Sequence, residues 1–163
     1  MAKKVCTYGL LAALCIVLGY VEHIVSFDFI APGIKIGLAN SVGVILISQG
    51  KIKGAYSVNL VRILLSALLF STPSALIYSL SGGLVSLTAM WLLSKLDFFG
   101  IIGFSVLGAV LHNLTQILCA AFLLGHGVWY YLPFLLLAAA ICGTLTGMIA
   151  KILLKNNFLN QHL

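Results

Sequence analysis

Long apolar runs recur along this chain at intervals of roughly twenty residues, with short polar or glycine-containing breaks between them. In lipid, a spanning segment has to satisfy its own backbone N–H and C=O groups, and an α-helix does so. The pattern therefore predicts an all-α fold, an integral membrane bundle of six transmembrane helices. The predicted spans are residues 5–21, 36–48, 54–70, 75–93, 101–124 and 128–154.

The composition supports lipid as the main solvent. Hydrophobic residues make up 62% of the 163 residues and charged residues only 7%, a balance that no water-soluble core of this size requires. The second span is the shortest, and it either begins inside the preceding loop or stops short of crossing. No repeat or composition shift divides the chain, so we expect a single transmembrane domain over residues 1–163.

The positive charges indicate the orientation. With six alternating spans, seven lysines fall on one side of the membrane: Lys3, Lys4, Lys51, Lys53, Lys95, Lys151 and Lys155. Cytoplasmic loops carry an excess of lysine and arginine. We therefore predict a multi-pass protein of the cell membrane with both termini in the cytoplasm. The lysines do not form the clustered basic face that nucleic acid requires, so no nucleic-acid partner is expected.

Several polar residues lie within or beside the spans, where they are expensive to bury. Arg62 is about halfway along the third span, with Asn59 one turn away. His112 and Gln116 share one stripe of the fifth span, and Asn113 lies beside them. Two polar stripes at matching depth predict one polar cavity. Lys35 and Asn40 are placed to close it from the outer side.

Such a site is cationic and rich in amides, so it suits an anionic or strongly hydrogen-bonding small molecule. The predicted substrate-binding set is Lys35, Asn40, Asn59, Arg62, His112, Asn113 and Gln116. A second interpretation stays open, in which these side chains only cross-link helices through buried hydrogen bonds. The outer segment 22–35 likewise either folds over the bundle or anchors at the interface through its aromatic residues.

The inventory of residues argues against catalysis. Glu22, Asp28 and Asp97 are the only carboxylates, and no two of them are positioned as an acid and base pair. The four cysteines show no paired spacing for zinc or disulfides and are interpreted as buried thiols, so no metal or cofactor is expected. A phosphate-binding loop ending in GK[ST] is absent as well. Any pumping requires a separate motor.

Four motifs in order resemble a known family. Residues 32–40 read PGIKIGLAN, 60–65 read LVRILL, 78–86 read YSLSGGLVS and 108–116 read GAVLHNLTQ. They resemble the Gx transporter family, also labelled heptaprenyl diphosphate synthase component I. That family is similar to the substrate-binding S components of energy-coupling factor (ECF) transporters.

The resemblance implies six helices, a substrate pocket in the outer half, and docking of an ECF coupling subunit and its ATPase pair on small residues of the first helix. Here those residues are Gly9, Ala12 and Ala13, in place of the usual alanine-rich pattern. We expect a non-enzymatic membrane subunit that captures a small anionic or amphipathic metabolite, vitamin-like or isoprenoid-related, for uptake. The alternative is a non-catalytic accessory or scaffold subunit of a prenyl diphosphate synthase or redox complex.

Overall fold

The computed structural model describes residues 2–24, 38–70, 73–96 and 98–155. Within those ranges the chain forms six α-helices, a single 3₁₀ turn and no strand. The helices are α1 (Ala2–Ile24), α2 (Asn40–Ser48), α3 (Ile52–Phe70), α4 (Pro73–Leu93), α5 (Ile101–Leu124) and α6 (Leu132–Lys155), with the 3₁₀ turn at His126–Tyr131 before α6. The predicted all-helical membrane bundle is confirmed. Helix α1 extends beyond the predicted 5–21 at both ends.

Among the described residues, four segments are long and apolar enough to cross a membrane: Ile52–Leu69, Leu76–Leu93, Ile101–Leu123 and Gly127–Lys155. Large apolar side chains cover the outside of the bundle. Leu68 is 82% exposed and Phe122 is 90% exposed. Water would disfavour so much exposed apolar surface, whereas lipid does not. The prediction that all four cysteines are buried holds only for Cys15, because Cys6 is exposed on α1 and Cys119 and Cys142 are half-buried.

Helix α2 is the short central element. Its described part has nine residues, about 13 Å of helix and so less than half of a bilayer core. It touches each of the other five helices. Leu46 and Val44 are among the most deeply buried side chains described. This short helix therefore fills the middle of the bundle, while the five longer helices form its walls.

The end of α2 is fixed by a glycine turn. Gly50 has φ of 70°, a left-handed conformation that costs glycine little. Its N–H donates to the carbonyl of Ile47 at 2.9 Å, and the N–H of Lys51 donates to Leu46 at 2.8 Å. This is the Schellman arrangement, which satisfies the last carbonyls of the helix. The chain then reverses directly into α3.

Helices α5 and α6 pack backbone to backbone through glycine. A Cβ added at Gly147 would lie 2.8 Å from Cα of Ile102, and one added at Gly143 would lie 2.8 Å from Cα of Val106. The hydroxyl of Ser105 uses this proximity and donates to the carbonyl of Gly143 at 2.9 Å. Small residues permit such approach in membrane bundles. Gly143 and Gly147 of α6 thus serve internal packing.

One end of the bundle carries the lysines. The α2–α3 turn, the loop after α4 and the end of α6 line one common groove there. Tyr8, near the start of α1, packs against Gly54 at the start of α3. We call this end, with Lys51, Lys53, Lys95, Lys151 and Lys155, the lysine end. The structure thus brings the helix ends with those lysines together, as the alternating spans predict. Its cytoplasmic location stays a prediction.

Candidate functional site

A polar cavity lies among helices α1 to α5 and extends from mid-depth, at Arg62 and His112, toward the lysine end, at Ala55 and Met90. It therefore does not lie in the half away from the lysines, where the resemblance implies a substrate pocket. Helices α3 and α5 both begin at the lysine end. Arg62 is ten residues into α3 and His112 is eleven residues into α5, which places both about 15 Å from that end. Both residues line the same cavity. The predicted match in depth between the two polar stripes is therefore confirmed.

The cavity joins four of the seven predicted binding residues. Its polar wall consists of Asn40, Asn59, Arg62, Ser86 and His112. The other residues that line the cavity are Cys15, Ala39, Gly43, Ala55, Val58, Gly83, Leu87 and Met90. The enclosed volume is about 20 Å³, which is room for about one water molecule. A larger ligand can enter only if the surrounding helices separate.

Arg62 and Asn59 form the centre of the polar wall. Nη2 of Arg62 donates to Oδ1 of Asn59 at 2.8 Å, one turn apart on α3. The amide nitrogen of Asn59 faces α4, where a Cβ at Gly83 would lie 2.8 Å from it. This bond fixes the amide and the guanidinium relative to each other. The absence of a side chain at Gly83 is what admits Asn59 between the two helices.

Helix α5 approaches α4 at the adjacent glycine. A Cβ at Gly82 would lie 3.0 Å from the backbone oxygen of His112 and 3.1 Å from Cγ of Gln116. His112 and Gln116 therefore share one stripe facing α4, as their spacing predicts. His112 reaches the cavity wall, whereas Gln116 lies one turn further along, outside the lining residues. The glycine pair lets α3 and α5 approach α4 from two sides.

Asn113 has a different role. Its Nδ2 donates to the carbonyl of Leu135 on α6 at 3.1 Å, and it does not line the cavity. This contact matches the bracing interpretation for that one residue. Lys35, the remaining member of the predicted set, lies outside the described residues. The same holds for most of the outer segment 22–35.

The electrostatic character of the cavity is positive. None of its described lining residues is acidic, and Arg62 contributes a guanidinium that stays protonated in proteins. An anionic group is thus the complementary ligand for this wall.

Two lining residues that can form hydrogen bonds, Cys15 and Ser86, are outside the predicted set. Cys15 of α1 is 1% exposed, and its thiol donates to the carbonyl of Ala39 at 3.5 Å. Ser86 of α4 is 5% exposed. Every buried polar side-chain atom of the described residues has a hydrogen-bond partner.

The predicted docking residues on α1 divide between two faces. Gly9 and Ala13 are exposed, and a Cβ at Gly9 would meet nothing within 4 Å. Ala12 is only 5% exposed and packs in the core. Successive helical residues are rotated by about 100°, so Ala12 turns into the bundle beside its exposed neighbour. Only Gly9 and Ala13 remain on an outward surface.

Comparison with known proteins gives one match. A family model described as heptaprenyl diphosphate synthase component I matches residues 11–153. No curated protein and no solved structure matches the chain significantly. The match extends from α1 to the last turn of α6 and so includes all the helices that line the cavity.

Proposed function

From the premise that the chain belongs to the heptaprenyl diphosphate synthase component I family, we propose that it is a non-catalytic membrane subunit that binds a small anionic or amphipathic metabolite. The binding site is the polar cavity, and the proposed task is uptake of the metabolite with a separate ATPase module. The word component in the family's description implies at least one protein partner.

The observation that carries this proposal is the convergence of Arg62, Asn59 and His112 at mid-depth with no acidic residue among the described lining residues. Placing a guanidinium within a membrane span is costly, by roughly 2.5 to 3.5 kcal/mol on insertion scales. A purely structural cross-link can be made by neutral amides at lower cost. A positive charge at this depth is better explained by an anionic ligand.

Opening of the cavity is assigned to α1. Among the described residues, α1 contacts only α3 and α2, so it lies at the edge of the bundle and can move without separating α3 from α4. Helices α3 and α4 meet at Gly83 and at the hydroxyls of Tyr56 and Thr88, 2.7 Å apart. Helix α1 also supplies Cys15 to the cavity wall. Its movement would open one wall and leave the Asn59–Arg62 pair intact. A partner that binds α1 can therefore control access to the ligand.

The exposed surface around Gly9 and Ala13 is the proposed docking site for a coupling subunit. The chain lacks a phosphate-binding loop ending in GK[ST], so energy from nucleotide hydrolysis by that route has to come from a partner. In the proposed transport role, that partner is an ATPase pair.

A second candidate function follows from the family match. The chain would then be an accessory subunit that presents or holds a prenyl diphosphate for a catalytic partner. The sequence contains three acidic residues and no aspartate-rich motif for magnesium, so the chemistry of chain elongation would belong to the partner. The polar residues of the cavity would serve as braces in that case.

Affinity purification from membranes in mild detergent, with the partners identified by mass spectrometry, tests the two functions. We expect a coupling subunit and an ATPase pair with the wild type, and their loss when bulk is added to the docking surface in Gly9→Leu/Ala13→Leu. Val85→Leu, which adds bulk on the exposed side of α4, is the matched control. Recovery of a prenyl diphosphate synthase subunit and no ATPase would overturn the transport proposal and support the accessory role.

A further inference from the structure

The turn between α5 and α6 carries a cluster of aromatic residues at the end of the bundle away from the lysines. Helix α5 ends at Leu124, and Gly125, with φ of 90°, redirects the chain into the 3₁₀ turn. The second half of that turn is Trp129, Tyr130 and Tyr131, which we call the aromatic turn. All three side chains are exposed, and Tyr130 is 84% exposed.

Phenylalanine residues mark the level just inside this turn. Phe122, in the last turn of α5, and Phe134, in the first turn of α6, are both exposed. A phenyl ring has no polar group, whereas tyrosine and tryptophan combine an apolar ring with a polar tip. Tyrosine and tryptophan are therefore enriched where the membrane meets water. The exposed rings change from purely apolar to amphipathic over about one helical turn.

The distance from the aromatic turn to the lysines matches one bilayer core. Lys151 lies nineteen residues after Leu132, the first residue of α6, and at 1.5 Å per residue this stretch spans about 28 Å. The hydrocarbon core of a typical bilayer is about 30 Å thick. A lysine keeps its ammonium group in water and its stem along apolar surface. Lys151 and the aromatic turn are thus spaced as the two edges of one core.

The same measure gives the depth of the polar cavity. Arg62 lies nine residues after Lys53 on α3, which is about 14 Å along the helix. That distance is about half of the hydrocarbon core. With the lysines at one edge of the core and the aromatic turn at the other, the guanidinium-bearing turn of α3 lies near the middle of the bilayer.

We propose that the aromatic turn is a membrane anchor, with Trp129, Tyr130 and Tyr131 in the lipid head-group layer on the side opposite to the lysine end. The indole N–H and the phenol hydroxyls bond to oxygens of the head groups, and the rings contact the adjoining acyl chains. The anchor holds the closely packed α5–α6 pair at a fixed depth. The proposal does not depend on the uptake role, because it uses no residue of the cavity.

Tryptophan fluorescence can measure the depth of the turn, because the two tryptophans of the chain lie at opposite ends of the bundle. Trp91 is at the lysine end, where Nζ of Lys95 lies 4.1 Å from the centroid of its ring. The Trp91→Phe variant of the full chain therefore reports on Trp129 alone. It is placed in vesicles of phosphatidylcholine that is brominated at a shallow or at a deep acyl position. We expect shallow bromines to quench Trp129 more than deep bromines do.

Leu64 provides the matched control for depth. It is exposed on α3 two residues after Arg62, so Leu64→Trp in a Trp91→Phe/Trp129→Phe background should be quenched most by deep bromines. Quenching of Trp129 by aqueous iodide but not by bromines would overturn the proposal, because the turn would then lie in water. Strongest quenching by deep bromines would place the turn in hydrocarbon and overturn it too. Insensitivity to both quenchers would mean that protein covers the turn, which also contradicts the anchor.

Two further variants test whether the tyrosines hold the turn at this depth. Tyr130→Phe/Tyr131→Phe keeps the rings and removes the hydroxyls, so quenching of Trp129 by deep bromines should rise. Tyr130→Ser/Tyr131→Ser removes the rings, so quenching of Trp129 by iodide should rise instead. Unchanged quenching in both variants would overturn the role of the tyrosines as anchors.

Discussion

Gly83 of α4 and Asn59 of α3 lie so close that a Cβ at Gly83 would stand 2.8 Å from Nδ2 of Asn59. The neighbouring Gly82 meets a different kind of atom, the backbone oxygen of His112 at 3.0 Å. A side-chain amide can swing aside, whereas a helix backbone cannot do so without moving the helix. The two adjacent glycines therefore support the cavity in different ways.

This difference predicts unequal effects for two alanine substitutions. Gly83→Ala should displace the side-chain ends of Asn59 and Ile63, which would lie 2.8 and 2.9 Å from the new Cβ, disrupt the Asn59 bond to Arg62 and weaken ligand binding, with a smaller loss of thermal stability than Gly82→Ala. Gly82→Ala should push α5 from α4 and destabilise the protein by about 1 to 3 kcal/mol, the usual cost of overpacking.

Thermal unfolding in detergent, measured together with ligand binding, tests both changes. Gly9→Ala is the control, because a Cβ there meets nothing within 4 Å and alanine favours a helix by up to about 1 kcal/mol over glycine. Identical stability losses in Gly82→Ala and Gly83→Ala would contradict the distinction.

Asn113 separates bracing from binding. Asn113→Ala removes the bond to the Leu135 carbonyl on α6. Interhelical bonds of this type contribute on average about 0.6 kcal/mol, and up to about 2 kcal/mol in model peptides. We expect lower stability of this order with unchanged ligand affinity, measured by unfolding and by binding on the same preparation. A loss of affinity as large as that of Asn59→Ala would mean that Asn113 contacts the ligand.

The lysine end should face the cytoplasm. In a variant in which the four native cysteines are replaced by serine, Lys53→Cys should react with a membrane-impermeant maleimide only after the membrane is permeabilised. Gly127→Cys, in the exposed 3₁₀ turn between α5 and α6, should react in intact cells. The reverse pattern would show that the excess of lysine does not set the orientation of this chain in the usual way.

Much of the bundle can be predicted from the sequence because every segment in lipid has to satisfy its own backbone N–H and C=O groups, which an α-helix does. The apolar spacing predicts α3 and α5 to within two residues at each end, and matching distances from the lysine end predict that Arg62 and His112 share a cavity. Rotation of the helices about their axes is harder to predict. It decides that Asn113 faces α6 and that Ala12 faces the core.

The groove at the lysine end has no signal within any single segment. It forms because the turn at Gly50, the loop after α4 and the last turn of α6 meet in space. In the sequence, the lysines of the groove indicate only the orientation of the chain in the membrane. Trp91 lies four residues before Lys95, one helical turn away, and that spacing is the only local sign of a held ammonium group.

The central claim is that the polar cavity binds an anionic ligand through Arg62. The most direct test compares how much ligand the wild type and the Arg62→Ala variant retain. Native mass spectrometry of the full chain, released from membranes in mild detergent, measures the mass of any bound small molecule. The account predicts that the wild type retains an anionic ligand and that Arg62→Ala loses it while still unfolding cooperatively near the wild-type temperature. Equal retention by both proteins would contradict the assignment of the cavity as the binding site.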